Sequence, residues 1–383
     1  MHGTIESAFR VEWRPLADMG SVAAEWQTLA SAALEPNVFY EPAFALASAA
    51  VFGDDAGAGL VWSRTSPARL LGFFPARIER RRYGISLPVL TGWTHPYGPL
   101  GTPLVASDWG EPVIGAWLEH VTNHATLPKL MLLPYVPVAG AWVDMLDRVI
   151  ARRGGASREF GRHARALLAP GNDRAGYLQT SIGGRKRKEL RRQRKRLSDL
   201  GALTSASSGE MSAVMRAVDD FFTLEAGGWK GRAGTAARNR EDIRKFLQTA
   251  VSDLAGQGKA RVARLFVDAQ AIAAIIVLRS GATAWCWKIA YDERFARFSP
   301  GVQLLLDVTQ ELLDDEGIVR ADSCADENHP MIDHMWRERL ILADRLIRLV
   351  PDGGAAFRLA GALEASRRTA IRSAKSLRRM MRR

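Results

Sequence analysis

Residues 261–290 read RVARLFVDAQAIAAIIVLRSGATAWCWKIA, and this stretch decides the fold. Arg261–Val267, Ala271–Leu278 and Thr283–Ala290 are apolar runs of strand length, and the pieces between them, Asp268-Ala269-Gln270 and Ser280-Gly281, have the length and composition of tight turns. The spacing predicts a three-stranded antiparallel meander. A loop at Tyr291–Ser299 follows, then a helical pattern from Pro300 to Glu316 stopped by Gly317, then a strand at Ile318–Asp322. Two helices precede the meander: Glu210–Glu225, with Val214, Val218, Phe221 and Phe222 on one side, and Glu241–Leu254, with Phe246, Leu247, Val251 and Leu254. Asn239 is expected to cap the second, with Asp242 at its third position.

The N-terminal half follows a similar order. A strand at Phe9–Arg14 leads to helical patterns at Ala23–Ala33 and Pro42–Ala50, then to strands at Gly59–Arg64 and Leu70–Glu79. The Pro- and Gly-rich segment Tyr83–Ser107 reads as strands and loops, since its four prolines forbid a membrane helix. A helix at Glu111–Asn123, the apolar run Lys129–Leu133 and a helix at Ala141–Arg152 complete this half. At 383 residues, the chain has room for two domains of ordinary size, and the recurring order suggests duplication.

With 47% hydrophobic and 25% charged residues, the composition is that of a globular protein and excludes a disordered or collagenous chain. The formal charge of +12 resides in two short segments, Arg185–Arg196 and Arg358–Arg383, each with nine basic residues against one glutamate. The remainder is slightly acidic. Two cysteines, Cys286 and Cys324, form no disulfide framework and suit a reducing compartment, and the first residues lack a signal-peptide pattern. A cytoplasmic protein is expected.

Chemistry is expected first at Phe298-Ser299-Pro300-Gly301-Val302. Ser299 suits an N-cap and Pro300 a first helical position, while Gly301 admits close approach to the backbone. Free amides and the helix dipole would then favour a phosphate. The plainer reading is a well-capped helix. A second candidate is Asp322-Ser323-Cys324-Ala325-Asp326-Glu327-Asn328-His329, where Asp326 or His329 could serve as base and Asp322 could orient substrate, or all could belong to a solvated loop. Glu225, Trp229 and Lys230 could hold a sugar or acyl group, or Trp229 could pack as core. Lys288 interrupts an apolar strand and should face a cleft or a partner, because a buried unpaired ammonium is costly. The cysteines read as small hydrophobes, with an acyl-Cys324 intermediate as the minority case, and no residue spacing supports a metal. His95 could line an interdomain cleft, although a structural loop histidine is the plainer reading, and His120 with His124 read as surface residues.

The order of two helices, meander, turn, helix and strand resembles the GCN5-related N-acetyltransferase (GNAT) fold. Phe295-Ala296-Arg297-Phe298-Ser299-Pro300-Gly301 with Leu304-Leu305 resembles the CelD/BcsL group of that superfamily, as do Leu224-Glu225 through Gly228-Trp229-Lys230-Gly231, the Arg191–Leu197 helix, and Trp26 with Phe39-Tyr40-Glu41-Pro42. Such proteins are similar to the FemAB-type transferases. The resemblance implies a mixed α+β chain (an α/β protein) of two tandem GNAT-like domains, each a mixed, mostly antiparallel sheet flanked by helices. Residues 1–170 would form the first and 171–350 the second, with a basic linking helix at 184–200 and a basic amphipathic or disordered tail at 351–383.

The resemblance further implies acyl transfer from acetyl-CoA or a longer acyl-CoA, without a metal, to an amine or hydroxyl of an amino sugar or another cell-surface polysaccharide or envelope precursor. The pantetheine arm would lie between splayed strands, Thr283–Ala290 and Ile318–Asp322, and the pyrophosphate would rest near Arg297, Ser299, Gly301 and Val302. The sequence departs from the family's phosphate pattern in placing Pro300 and Val302 where glycines are expected, and no tyrosine follows Tyr291 to protonate the thiolate. FemAB relatives that use aminoacyl-tRNA make tRNA an alternative donor, which the basic segment Arg185–Arg196 would suit. A catalytically inactive scaffold assisting polysaccharide synthesis is the other alternative. In the tail, Ile371, Ala374, Leu377 and Met381 among arginines and lysines suit an anionic membrane surface at its inner face, or a merely solubilising tail.

Overall fold

The structure is a computed structural model that describes residues 8–380; Met381, Arg382 and Arg383 of the expected membrane face lie outside the described residues, as do the side chains of residues 375–380. The chain begins with β1 (Phe9–Pro15), α1 (Ala23–Ser31), α2 (Pro42–Phe52), β2 (Ala56–Ser63), β3 (Leu70–Glu79), β4 (Val89–Gly92) and β5 (Leu104–Val105). It continues through α3 (Gly110–Asn123), β6 (Leu130–Pro137), α4 (Ala141–Arg152), β7 (Ala156–Leu168), α5 (Tyr177–Ser181) and α6 (Gly184–Ser198). Then come β8 (Leu203–Ser208), α7 (Met211–Gly227), α8 (Trp229–Arg232), α9 (Glu241–Gly256), β9 (Ala260–Val267), β10 (Gln270–Ser280) and β11 (Thr283–Tyr291). α10 (Pro300–Asp314), β12 (Arg320–Asp322), β13 (Glu338–Arg348) and α11 (Gly354–Met380) close it.

The chain forms two compact units that are not consecutive stretches: residues 1–42, 52–163 and 341–383 make the first, and 43–51 with 164–340 the second. The expected cuts at 170 and 350 follow the chain, whereas the units exchange segments. The reason is visible in the packing. In the second unit, Phe44 of α2 meets Phe246 and Trp287 edge-to-face at 5.5 and 5.2 Å. In the first, β13 pairs antiparallel with β6, from Leu342 opposite Pro137 to Arg348 opposite Leu130.

Each unit repeats one order. In the first, β1, β2, β3 and β4 pair antiparallel in succession, α3 crosses over, and β6 joins β4 in parallel. In the second, β8, β9, β10 and β11 pair antiparallel, α10 crosses over, and β12 joins β11 in parallel. The predicted meander is present. Its central strand β10 is buried from Ile272 through Leu278, because helices cover both faces, and so it reads as a continuous apolar run rather than an alternation. On one face Ile275 and Val277 join a core with Leu304, Leu305, Val308 and Leu312 of α10.

Two helix starts differ from expectation. Asn239 lies in a short turn, Ala237–Asn239, and α9 starts after Arg240 without a side-chain cap. Glu210 instead caps α7, accepting from the amides of Ser212 at 2.9 Å and Ala213 at 3.0 Å.

The tail is not disordered through its described part, since α11 docks in the first unit. Ala360 and Glu364 are fully buried, and Glu364 accepts from Arg82 Nε at 3.1 Å and Arg368 Nε at 2.8 Å. Arg368 also pairs with Asp344, and Arg367 lies 3.7 Å from Glu364, so these two arginines are engaged within the protein. Burial works against charge on Glu364, but Arg82 and Arg368 outweigh it and hold the carboxyl below the usual glutamate range. The docking energy from this carboxylate is therefore present above that range and lost as pH falls through the lowered value. Glu364→Ala should cost about 3 kcal/mol, because Arg82 and Arg368 lose their shared counter-charge. Urea unfolding and limited proteolysis within α11 would measure it; unchanged stability and cleavage would refute the pairing.

Candidate active site

The site follows from where two strands part. β11 and β12 pair in parallel at Thr283 with Arg320, Ala284 with Ala321 and Trp285 with Asp322, and there β12 ends while β11 runs on to Tyr291. The break has a local cause. Asp322 Oδ1 accepts from the amide of Cys324 at 2.9 Å, Ser323 Oγ from that of Ala325 at 3.3 Å, and Cys324 takes a left-handed φ of 51°. These side-chain-to-backbone bonds replace a strand ladder and turn the chain away. The β12-facing edge of β11 beyond Trp285 is thereby left without that strand. A bulge adds to the divergence: Ile276 faces Lys288 and Val277 faces Cys286, so Trp287 is the extra residue.

Lys288 stands just after the bulge, half-buried, its Nζ 5.8 Å from the Trp287 ring. Burial lowers its pKa to about 8; Lys230 reinforces this, and Glu225 and Cys324 partly oppose it. Glu225 is buried at the end of α7, and both its oxygens are taken: Oε1 accepts from Lys230 Nζ at 2.6 Å and Oε2 from the amide of Ala237 at 2.8 Å. Glu225, Lys230 and Lys288 thus form one electrostatic group, in which Glu225 bonds Lys230 and acts on Lys288 through its charge. Trp229 is not core, being 60% exposed. Glu293, which the sequence did not single out, fixes it by accepting from its amide at 2.7 Å and from Arg232 at 2.6 Å.

Asp322 is not free to orient a substrate. It is 2% exposed, tied to its own turn, and its Oδ2 lies 3.5 Å from Arg165, itself 3% exposed. Asp326 lies exposed in the loop beyond. His329 is half-buried, and its Nδ1 accepts from the amide of Met331 at 3.4 Å, which favours the tautomer with the proton on Nε2 and leaves no second acceptor lone pair for a base. Burial pushes the Cys286 thiol up to about 12, and burial with nearby Asp322 raises that of Cys324, so neither is a ready thiolate.

The α10 entrance is tighter than the sequence suggests. Ser299 adopts φ 54° and ψ 52° and makes no side-chain cap, while its carbonyl accepts from the amides of Val302 at 2.9 Å and Gln303 at 3.0 Å. Gly301 is buried against Met331, whose Cε would lie 2.5 Å from a Cβ placed there, with Ile289 and Tyr291 at 3.3 Å. Close packing accounts for the glycine. Arg297 is exposed, its guanidinium 4.6 Å above the Phe298 ring.

Elsewhere, His95 stacks on Phe52 at 4.6 Å within the first unit, and His120 and His124 lie 5.1 Å apart, burial lowering the pKa of His120. Among the described residues there is no group of three or more His, Cys, Asp or Glu able to hold a metal, and no helix is long and apolar enough to cross a membrane.

Meander, crossover helix and a parallel strand that parts from its neighbour make a tandem GNAT-like fold, similar to that of FemX. Residues 184–329 match the family described as "Acetyltransferase (GNAT) domain". Among solved structures, FemX shares 10% identity at a TM-score of 0.56, over 89% of this chain and 98% of that one. The C-terminal domain of a protein from Agrobacterium fabrum, assigned as a lysylphosphatidylglycerol synthetase, shares 13% at 0.55, over 91% and 96%. A conserved protein of unknown function from Bacteroides thetaiotaomicron shares 10% at 0.51, over 88% and 99%. At these identities the likeness is one of fold. No curated protein matches.

Asp322→Asn should keep the turn, since an amide oxygen can still accept from Cys324, yet leave Arg165 buried beside a neutral group. A loss of about 3 kcal/mol is expected in urea unfolding. Wild-type stability in this variant would show that the ion pair does not brace the end of β12.

Proposed function

We propose that the protein transfers an acyl group from acyl-CoA, acetyl-CoA in the simplest case, to the amine of an amino sugar or another envelope-polysaccharide precursor, in keeping with its CelD/BcsL resemblance. The observation that carries this reading is the parting of β12 from β11 after Trp285, between which a pantetheine arm would lie with its thioester carbonyl toward a backbone N–H of β11. The acceptor's sugar face rests on Trp229. Its nitrogen attacks the carbonyl carbon, the C–N bond forms, the C–S bond breaks, and the Lys288 ammonium protonates the departing sulfur. The surplus proton on nitrogen passes to Asp326 directly or through water. Lys288 supplies what the missing tyrosine would, and a pKa of about 8 suits the task near neutral pH.

A second reading, aminoacyl-tRNA-dependent transfer, is favoured by the basic face of α6. Calorimetric titration of the full chain with acetyl-CoA and with tRNA separates the two. Micromolar acetyl-CoA binding is expected, and its absence alongside tRNA binding would reverse the assignment. Association of the chain end with an anionic membrane stays a proposal for residues beyond Arg368.

Lys288→Met should leave acetyl-CoA affinity within about threefold and lower transfer to amino-sugar acceptors about 100-fold. Because the folded pKa lies below the ordinary lysine value, the unfolded chain holds more protons between the two, and wild-type stability rises with pH from about 8 toward that value. The variant should therefore be more stable than wild type at pH 7, with the gain fading as pH rises through that window. Full turnover in Lys288→Met would remove the proton-donor role.

A further inference from the structure

α8 is held in place without a core of its own. Its four residues, Trp229–Arg232, include no buried side chain, and a helix this short does not persist alone in water, where about 12 residues are needed. Gly228 precedes it, and Gly234 follows it with a left-handed φ of 70°. Besides local backbone bonds, its fastenings are two carboxylates from different elements. Glu225 of α7 accepts from Lys230 Nζ at 2.6 Å and from the amide of Ala237 at 2.8 Å, and Glu293 accepts from the amide of Trp229 at 2.7 Å and from Arg232 Nη2 at 2.6 Å. The first ties the middle of the segment and its far end, and the second ties its start.

Glu293 stands two residues past the end of β11 at Tyr291, in a turn closed by Asp292, whose Oδ1 accepts from the amide of Arg294 at 3.0 Å. Its carboxylate therefore joins the start of α8 to the strand that carries Lys288. The ion pair with Arg232 is a surface one, with Arg232 64% exposed, and adds little to overall stability. What the carboxylate fixes is the position of the Trp229 backbone. Arg232 and the Trp229 amide hold the Glu293 carboxyl below the usual glutamate range, so the fastening is charged at neutral pH. The Trp229 side chain, exposed rather than packed, thus stands on a backbone that is tied down. An indole held this way presents a broad apolar face at fixed position, and a ligand that stacks on it does not have to order it first.

We propose that Glu293 is the positioning residue for the acceptor: by tying the Trp229 backbone to the end of β11 it holds the indole face where a pyranose ring stacks on it, and so makes the protein prefer amino sugars to amines without a ring. The inference rests on the acyl-CoA reading above. Steady-state transfer from acetyl-CoA to glucosamine and to ethanolamine by the full chain tests it. Wild type should favour glucosamine at least 10-fold in kcat/KM. Glu293→Ala should raise the KM for glucosamine about 10-fold while kcat changes less than about twofold, and Glu293→Gln, whose amide oxygen can still accept from the Trp229 amide, should recover most of the loss. Trp229→Ala should raise the same KM by a similar factor, and Glu293→Ala/Trp229→Ala no further, because the first substitution acts only through the second residue. Equal wild-type use of the two amines, a glucosamine KM unmoved by Glu293→Ala, losses that multiply in the double variant, or a fall in kcat shared by both amines would overturn the positioning role and leave the acyl-CoA reading standing. Transfer to neither amine by wild type would overturn both.

Discussion

The second unit is organised around the ending of β12 at Asp322. One carboxylate holds the turn that takes the chain away and lies beside a buried arginine from β7, so the parting of the strands is built from a turn bond and an ion pair in one place. A strand continuing in parallel beside β11 would satisfy its outer edge and leave nothing for a ligand. With β12 cut short, that strand does not fill the edge, and the bulge at Trp287 re-aims Lys288 beside it.

Around this opening, the charged groups divide between support and chemistry. Glu225 spends both oxygens on Lys230 and an amide, and Glu293 fixes the start of α8, so the acids near the opening mostly hold other groups in place. Lys288 has a pKa lowered chiefly by burial, a cation kept in an environment that disfavours it. Groups held against their preference are where proton transfer is most easily arranged. His329 illustrates the converse, with its ring acceptor turned to a backbone amide.

The α6 segment, conspicuous in the sequence only for its charge, acquires different roles on its different faces. Leu190, Gln193, Arg194 and Leu197 attach it to α10 and the turn before it, while Lys188, Arg191, Arg192, Lys195 and Arg196 are exposed. Charge counting could not separate these, because rotational setting is fixed by Gln303, Asp307 and the Arg297 carbonyl, more than a hundred residues away.

The meander, the crossover helix and the repeated order of elements were legible in the chain itself, since apolar runs of strand length between short turns admit few other arrangements, and nearby pairing needs only local information. β13, with its sequence ERLILADRLIR, was not, because its pattern suits a helix as well and only pairing with β6 makes it a strand. β8 escaped notice because its residues are mostly exposed and polar. Among site residues, Lys288 stood out as a charge within an apolar run, whereas Arg165, Met331 and Glu293 carried no local signal. Their roles depend on what folding brings next to them: a buried carboxylate, a glycine with no Cβ, an amide at a helix start. Composition and periodicity settle which segments must be buried and in what regular form, because those are properties of neighbours along the chain. Which polar groups are held as supports and which are left to react is settled only by contacts between distant segments, where burial and pairing set the cost of each charge.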